Sequence, residues 1–326
     1  MTRERGARIL SLSGGAYLGL YTACVLERLE ARLGGPLARH FDLVAGCSVG
    51  GILALGLAAG VPAAELRMAF ERRGTAIFSS RPPPRGKLNA LVDLFRQLNR
   101  PKFSGIALRG SIAAMLGADT TLADLPHAAL IPTFCVSDGT PRLFAAGPWA
   151  GAEERELLAV DVAMATSAAP VYFPLVELAG GLHTDGGLYA TAPDLLALHE
   201  MERRGGWTDG EVAMLSIGTA TAGFRLERSL GRQFGLAQWA DKHRLVRALM
   251  AAQERITERM LGERLGERYL RLDAEPTPRQ ARAISLETAT PEAQQTLHAM
   301  AEATARQLAH EARIDRLFAD ERRSGR

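Results

Sequence analysis

The chain has 326 residues and a net charge of +3, with 47% hydrophobic and 23% charged residues. That is ordinary globular composition, long enough for one large α/β domain with a helical annex, and it excludes collagen, coiled coil and wholesale disorder. The charge is too small to argue for a nucleic-acid polymer as partner, and the three widely spaced cysteines (Cys24, Cys47, Cys135) support neither a disulfide framework nor a zinc site, which fits a reducing cytosol.

The opening MTRERGARILSLSGG has too short an apolar run for a signal peptide. Residues 8–12 (RILSL) predict a buried strand, followed by the loop Ser13-Gly14-Gly15-Ala16 and a helix to about Leu33, where Gly34-Gly35-Pro36 stops it. Residues 41–45 (FDLVA) predict the next strand, then the turn GCSVGG and an apolar helix to about Gly60. The stretch between Asp42 and Glu65 carries no charge and is long enough to span a bilayer. Gly46, Gly50, Gly51, Gly56, Gly60 and Pro62 divide it, however, into a strand, a sharp turn and a buried helix, so no transmembrane segment is predicted.

Residues 79–102 open on the proline-rich SSRPPPRGK and continue with Leu88, Leu91, Val92, Phe95 and Leu98 at helical spacing. Seven Arg or Lys and one acid lie between 79 and 109. Two readings stand for 88–98: a membrane-facing lid element suited to anionic headgroups, or a helix packed on the sheet with a solvated basic face. Further strands are predicted at 130–137, 142–145, 176–178 and 212–217, separated by helical patterns. Such alternation argues a mostly parallel sheet with helices on both faces. Residues 225–271 read as mostly helical, RYLRLD (268–273) adds a strand, and Thr290-Pro291-Glu292 starts a helix reaching about Phe318.

Gly46-Cys47-Ser48-Val49-Gly50 is a G-x-S-x-G sequence between a predicted strand and helix. A serine on such a turn presents its hydroxyl at the carboxyl end of a sheet, and the helix that follows brings free N–H groups to a forming negative charge. The glycine-rich turn after the first strand lacks the G-x-G-x-x-G spacing of a dinucleotide site, and its N–H groups at Gly14, Gly15 and Ala16 are candidates for an oxyanion hole. A base is harder to find. His298 and His310 fall in a polar helical pattern, and His40 and His127 have no partner motif. Asp185-Gly186-Gly187 follows a predicted strand region at 176–182, but Asp-Gly is also a common turn, so this motif alone leaves both readings open.

The whole set resembles the patatin-like phospholipase family. RILSLSGGAYLGLYTACVL resembles its opening strand and oxyanion loop, FDLVAGCSVGG its nucleophile elbow, ATSAAPVYFP (165–174) the segment ahead of its catalytic aspartate, HTDGGLYATAP (183–193) that aspartate's own motif, and LSIGTA (215–220) the strand end that follows. The resemblance implies a three-layer α/β/α fold, with a family domain over 8–220 and a mostly helical extension over 221–326. It also implies a Ser48–Asp185 dyad acting on lipid acyl esters without cofactor or metal. Ala16 and Leu18 depart from the family, which usually has a third glycine and then a cation at these places.

Three readings follow: a phospholipase acting peripherally at a membrane, a soluble esterase or thioesterase, and a binding protein with a degenerate oxyanion loop. The tail, with Trp239 and GERYLRLDAEP, resembles patatin-like effectors of cyclic-nucleotide-activated bacterial antiphage systems. A cyclic nucleotide activator is implied, for which Arg225, Arg228, Arg232, Arg244 and Arg247 could supply phosphate-binding forks. Oligomeric state is left open.

Overall fold

The structure, a computed structural model, describes residues 6–78, 100–221, 224–226, 228–240, 244–309 and 311–318. Strand β1 (Ala7–Leu12) leads through a short turn (Ala16–Leu18) into α1 (Gly19–Leu33), β2 (Leu43–Gly46), α2 (Val49–Ala58) and α3 (Ala63–Ile77). Helix α4 (Ile106–Leu116) comes next, then β3 (Ala129–Cys135), β4 (Thr140–Ala146), α5 (Ala159–Thr166), β5 (Val176–Leu178) and β6 (Gly181–Asp185). The single turn α6 (Gly187–Ala190), α7 (Asp194–Gly205) and β7 (Val212–Ile217) follow. The remainder holds α8 (Leu236–Ala240), α9 (Arg244–Leu265), β8 (Tyr269–Leu272), α10 (Gln280–Ala283), α11 (Pro291–Ala309) and α12 (Ala312–Leu317).

These strands form one sheet in the order β5-β6-β3-β2-β1-β7-β8, with β4 beside β3. All six residues of central β1 are buried, because both faces of the sheet are covered. Leu10 and Leu12 enter a core with α1, α2 and α11, whereas Ala7 and Ile9, one pleat away, enter a second core with α7 and α9. This is the three-layer α/β/α arrangement. Pairing is parallel from β3 through β2, β1 and β7 to β8 and antiparallel around β4, β5 and β6, so the sheet is mixed.

One detail of pairing positions everything that follows. A strand has two edges, and β4 occupies one edge of β3 along its whole length. The other edge is shared: β2 pairs with its start (Val44↔Ala129, Ala45↔Leu130) and β6 with its end (Thr133↔Asp185 to Cys135↔His183). The carboxyl ends of β2 and β6 therefore converge beside Pro132. A proline is tolerated at this point because no sheet partner needs its missing N–H, and its carbonyl accepts instead from Thr166 Oγ1 at 2.7 Å.

Some sequence expectations change. The strand region read at 176–182 is a hairpin, its two-residue turn placing Ala179 (φ 49°) and Gly180 (φ 78°) in the left-handed region. The terminal helix divides into α11 and α12. Residues 88–98 lie outside the described residues. Strand β8 belongs to the tail, yet it pairs with β7 from Met214↔Tyr269 to Ile217↔Leu272 and puts Leu270 and Leu272 in the main core. We expect Leu270→Ala to cost about 2–5 kcal/mol, read in denaturant unfolding, as for other large-to-small core changes.

Candidate active site

Ser48 sits between β2 and α2 with φ 54° and ψ −126°, a conformation non-glycine residues rarely adopt. Strain of this kind costs about 1–3 kcal/mol and persists only where the surroundings over-determine it. Two close approaches do so here. A Cβ on Gly46 would lie 2.0 Å from the Gly50 carbonyl oxygen, and one on Gly50 would lie 2.2 Å from that of Leu12. The Ser48 N–H donates to Thr166 Oγ1 at 3.0 Å, so α5 ties the elbow to Pro132 through one hydroxyl.

The Ser48 hydroxyl faces the Asp185 carboxylate closely enough to favour its charged form. Asp185 ends β6, is 6% exposed, and its Oδ1 also accepts from Gly187 N at 2.7 Å and from Cys47 Sγ at 3.7 Å. Burial raises its pKa to about 6, and Ser48, Gly187 and Cys47 pull against that rise. The ordinary value near 4 that the sequence alone suggests does not hold in this setting. Burial likewise pushes the Cys47 thiol well up, so Cys47 is a packed donor.

The glycine-rich loop lies against Ser48, but its three N–H groups are not equivalent. Gly14 N donates to the Thr191 carbonyl at 2.8 Å, which removes it from the expected oxyanion set; its role is to pack against Ser48, where an added Cβ would sit 3.2 Å from the serine Cβ. Tyr17 N is also used, on Leu286 O at 2.9 Å. Between them, the N–H groups of Gly15 and Ala16 have no acceptor among the described residues, and Val49, as the first residue of α2, adds another free donor. Ala16 holds a φ of 49° where the family usually has glycine. Leu18 is buried in the core. A cation reaches this loop from elsewhere: Arg271 on β8 donates to Ser13 Oγ at 3.2 Å and Ser216 Oγ at 2.9 Å.

A cavity of about 300 Å³ opens on Ser48 and Asp185, walled by Ile52, Phe70, Phe78, Leu108, Met115 and Leu249 among others. Such a shape and lining suit an acyl chain. His183 shares a strand face with Asp185 but is engaged elsewhere, with Nδ1 2.9 Å from Thr133 Oγ1; burial lowers its pKa. His298 joins three helices, its Nδ1 3.3 Å from Cys24 Sγ and its Nε2 2.8 Å from Glu71. Among the described residues no group of His, Cys, Asp or Glu is disposed to hold a metal ion, and no helix is long and apolar enough to cross a membrane.

The patatin-like phospholipase family model matches residues 10–198, more than half of the chain. The chain belongs to the patatin-like phospholipase family. It is 39% identical over 278 residues to a cGAMP-activated phospholipase of Pseudomonas aeruginosa, covering 85% of this chain and 80% of that one. A cGAMP-activated phospholipase of Vibrio cholerae is 36% identical (78% and 76% covered), and one of Escherichia coli is 34% identical (90% and 86% covered). This patatin-like chain is therefore a hydrolase, with Ser48, Asp185, Gly46, Gly50, Gly186 and Gly187 gathered where β2 and β6 end beside β3. Sequence reading missed Thr166 and Arg271. Thr166 could have been noticed inside ATSAAP, and Arg271 as a charge alternating with leucines on a strand.

The Asp185 shift has a consequence for stability. Its folded pKa lies above the unfolded value near 4, so ionisation opposes folding, and stability falls as pH rises from about 4 through about 6. Two pKa units correspond to roughly 3 kcal/mol. Asp185→Asn keeps an acceptor for Gly187 and removes the charge, so it should melt higher than the parent at pH 8, with the gap narrowing at pH 5.

Proposed function

We propose that this protein hydrolyses acyl esters of membrane phospholipids through a Ser48–Asp185 dyad and is switched on by a cyclic dinucleotide of the cGAMP type, as a peripheral enzyme of antiviral defence. The observation that carries the reading is a serine and a buried carboxylate facing one another at an apolar, acyl-sized cavity. In the proposed reaction Asp185 takes the Ser48 proton as Oγ attacks the ester carbonyl, and the alcohol leaves. Water then attacks the acyl-serine with Asp185 again as base. A carboxylate raised to about 6 is a better base than an ordinary aspartate and stays ionised at neutral pH. The N–H groups of Gly15, Ala16 and Val49 would hold the oxyanion, each contributing about 100- to 1,000-fold.

Regulation by a nucleotide is supported by the names of the three bacterial relatives. It is also supported by chemistry ahead of and within α9. The Arg247 guanidinium lies 4.9 Å from the Phe224 ring centre and that of Arg244 5.8 Å from Phe234, which packs on Trp239 at 5.3 Å. Arginines beside aromatic rings can grip phosphates and stack on purines. An ungated phospholipase would also attack its own host's membrane.

Three measurements test the reading. Ser48→Ala and Asp185→Asn should each lower phospholipid hydrolysis by at least about 1,000-fold, with the double variant hardly worse, since the two act as a unit. Full activity of either single variant excludes the dyad. Because the base must be ionised, kcat/KM should fall as pH drops through about 6, tenfold per unit below it. Vesicle hydrolysis should rise on adding cGAMP, with binding seen by calorimetry and weakened by Arg244→Ala and Arg247→Ala. Hydrolysis of short soluble esters alone, indifferent to nucleotide, would leave a constitutive esterase.

A further inference from the structure

We propose that Gln253 is a positioning residue for hydrolysis, its carboxamide clamping the turn that orients both the Asp185 carboxylate and the oxyanion loop. This rests on the dyad reading above.

The turn in question is α6 with Thr191 behind it. Four residues are too few to hold a helical turn by their own hydrogen bonds. Gly186 O accepts from Tyr189 N at 3.1 Å and Ala190 N at 2.9 Å, Gly187 O accepts from Thr191 Oγ1 at 3.2 Å, and Gln253 on α9 adds the outside support. Its Nε2 donates to Gly187 O at 3.1 Å and to Leu188 O at 3.3 Å, and its Oε1 accepts from Thr191 N at 3.0 Å. Both donors and the acceptor of one amide are thus spent on one turn. From that turn two bonds run to the reacting groups. Gly187 N holds Asp185 Oδ1 at 2.7 Å, and Thr191 O holds Gly14 N at 2.8 Å, immediately before Gly15 and Ala16.

The next residue, Glu254, fixes the helix at this height. It is buried, accepts from Thr221 Oγ1 at 3.3 Å and lies 3.5 Å from Arg271, which in turn donates to Ser13 at 3.2 Å. Helix α9 therefore grips the base loop through Gln253 and the oxyanion loop through Glu254 and Arg271. Val246, Leu249, Met250 and Gln253 are spaced as one helix face, and all four line the cavity. A shift of α9 would move the cavity wall and the clamp together, and the arginine–aromatic group ahead of the clamp gives a bound nucleotide a direct lever on it.

Gln253→Met removes all three bonds at nearly constant volume, and Gln253→Glu keeps only the acceptor for Thr191. Both are compared with the parent on a short-chain soluble ester with saturating cGAMP, alongside thermal melts and the rate at which a fluorophosphonate labels Ser48. We expect Gln253→Met to lower kcat by about 10- to 100-fold, the scale of small misplacements of reacting groups. KM should stay within about twofold, labelling should slow in parallel, the melt should remain cooperative, and Gln253→Glu should recover part of the loss. A kcat within twofold of the parent overturns the proposal, as does a kcat loss matched by loss of folded protein. If Gln253→Met does not fold, Gln253→Glu decides: parental kcat and labelling overturn the clamp, whereas slowed labelling at unchanged KM supports it. A parent chain that neither hydrolyses the ester nor takes the label overturns the dyad reading and the clamp with it.

Discussion

The shared edge of β3 is the constraint on which the site depends. Because β4 fills one side of β3, strands β2 and β6 must divide the other, and their carboxyl ends meet beside Pro132. Ser48 follows one end and Asp185 closes the other. No covalent or sequence proximity brings them together, since 137 positions of chain number separate 48 from 185; the geometry of one strand edge does. Thr166 then locks the meeting point by donating to Pro132 and accepting from Ser48.

The energetics run against stability at this point. A serine at φ 54° and a carboxylate 6% exposed both oppose folding. They are held by the glycine contacts around Gly50, by the bond from Gly187 and by large cores on both faces of the sheet. The same burial that penalises the Asp185 charge raises its pKa toward the range useful for accepting a proton.

Behind the loop lies a second buried polar group, Arg271 with Asp273, Glu254, Ser13 and Ser216. Burial raises Glu254 to about 7, with the Arg271 charge opposing the rise. Because Arg271 and Asp273 come from the β8 end and Glu254 from α9, the C-terminal part of the chain is structurally continuous with the catalytic half. Hydrogen bonds and ion pairs join α9 to two loops at once, through Gln253 to the 187–191 turn and through Glu254 and Arg271 to Ser13.

The sequence by itself determined the central strands and the elbow at Ser48, because these rest on local turn chemistry and apolar runs, whereas Asp185 was singled out only by the resemblance of its motif to the family. Only the tertiary structure decided that Gly14 is spent on Thr191 while Gly15 and Ala16 remain available, since a backbone donor's partner is set by what packs opposite it. The same holds for the raised pKa of Asp185, which comes from desolvation, and for the engagement of His183 by Thr133 across the sheet. Gln253 carried no readable signal of its place because it reaches the site from an element far along the chain. A glutamine in the middle of an amphipathic helix is ordinary until the turn it holds is in view.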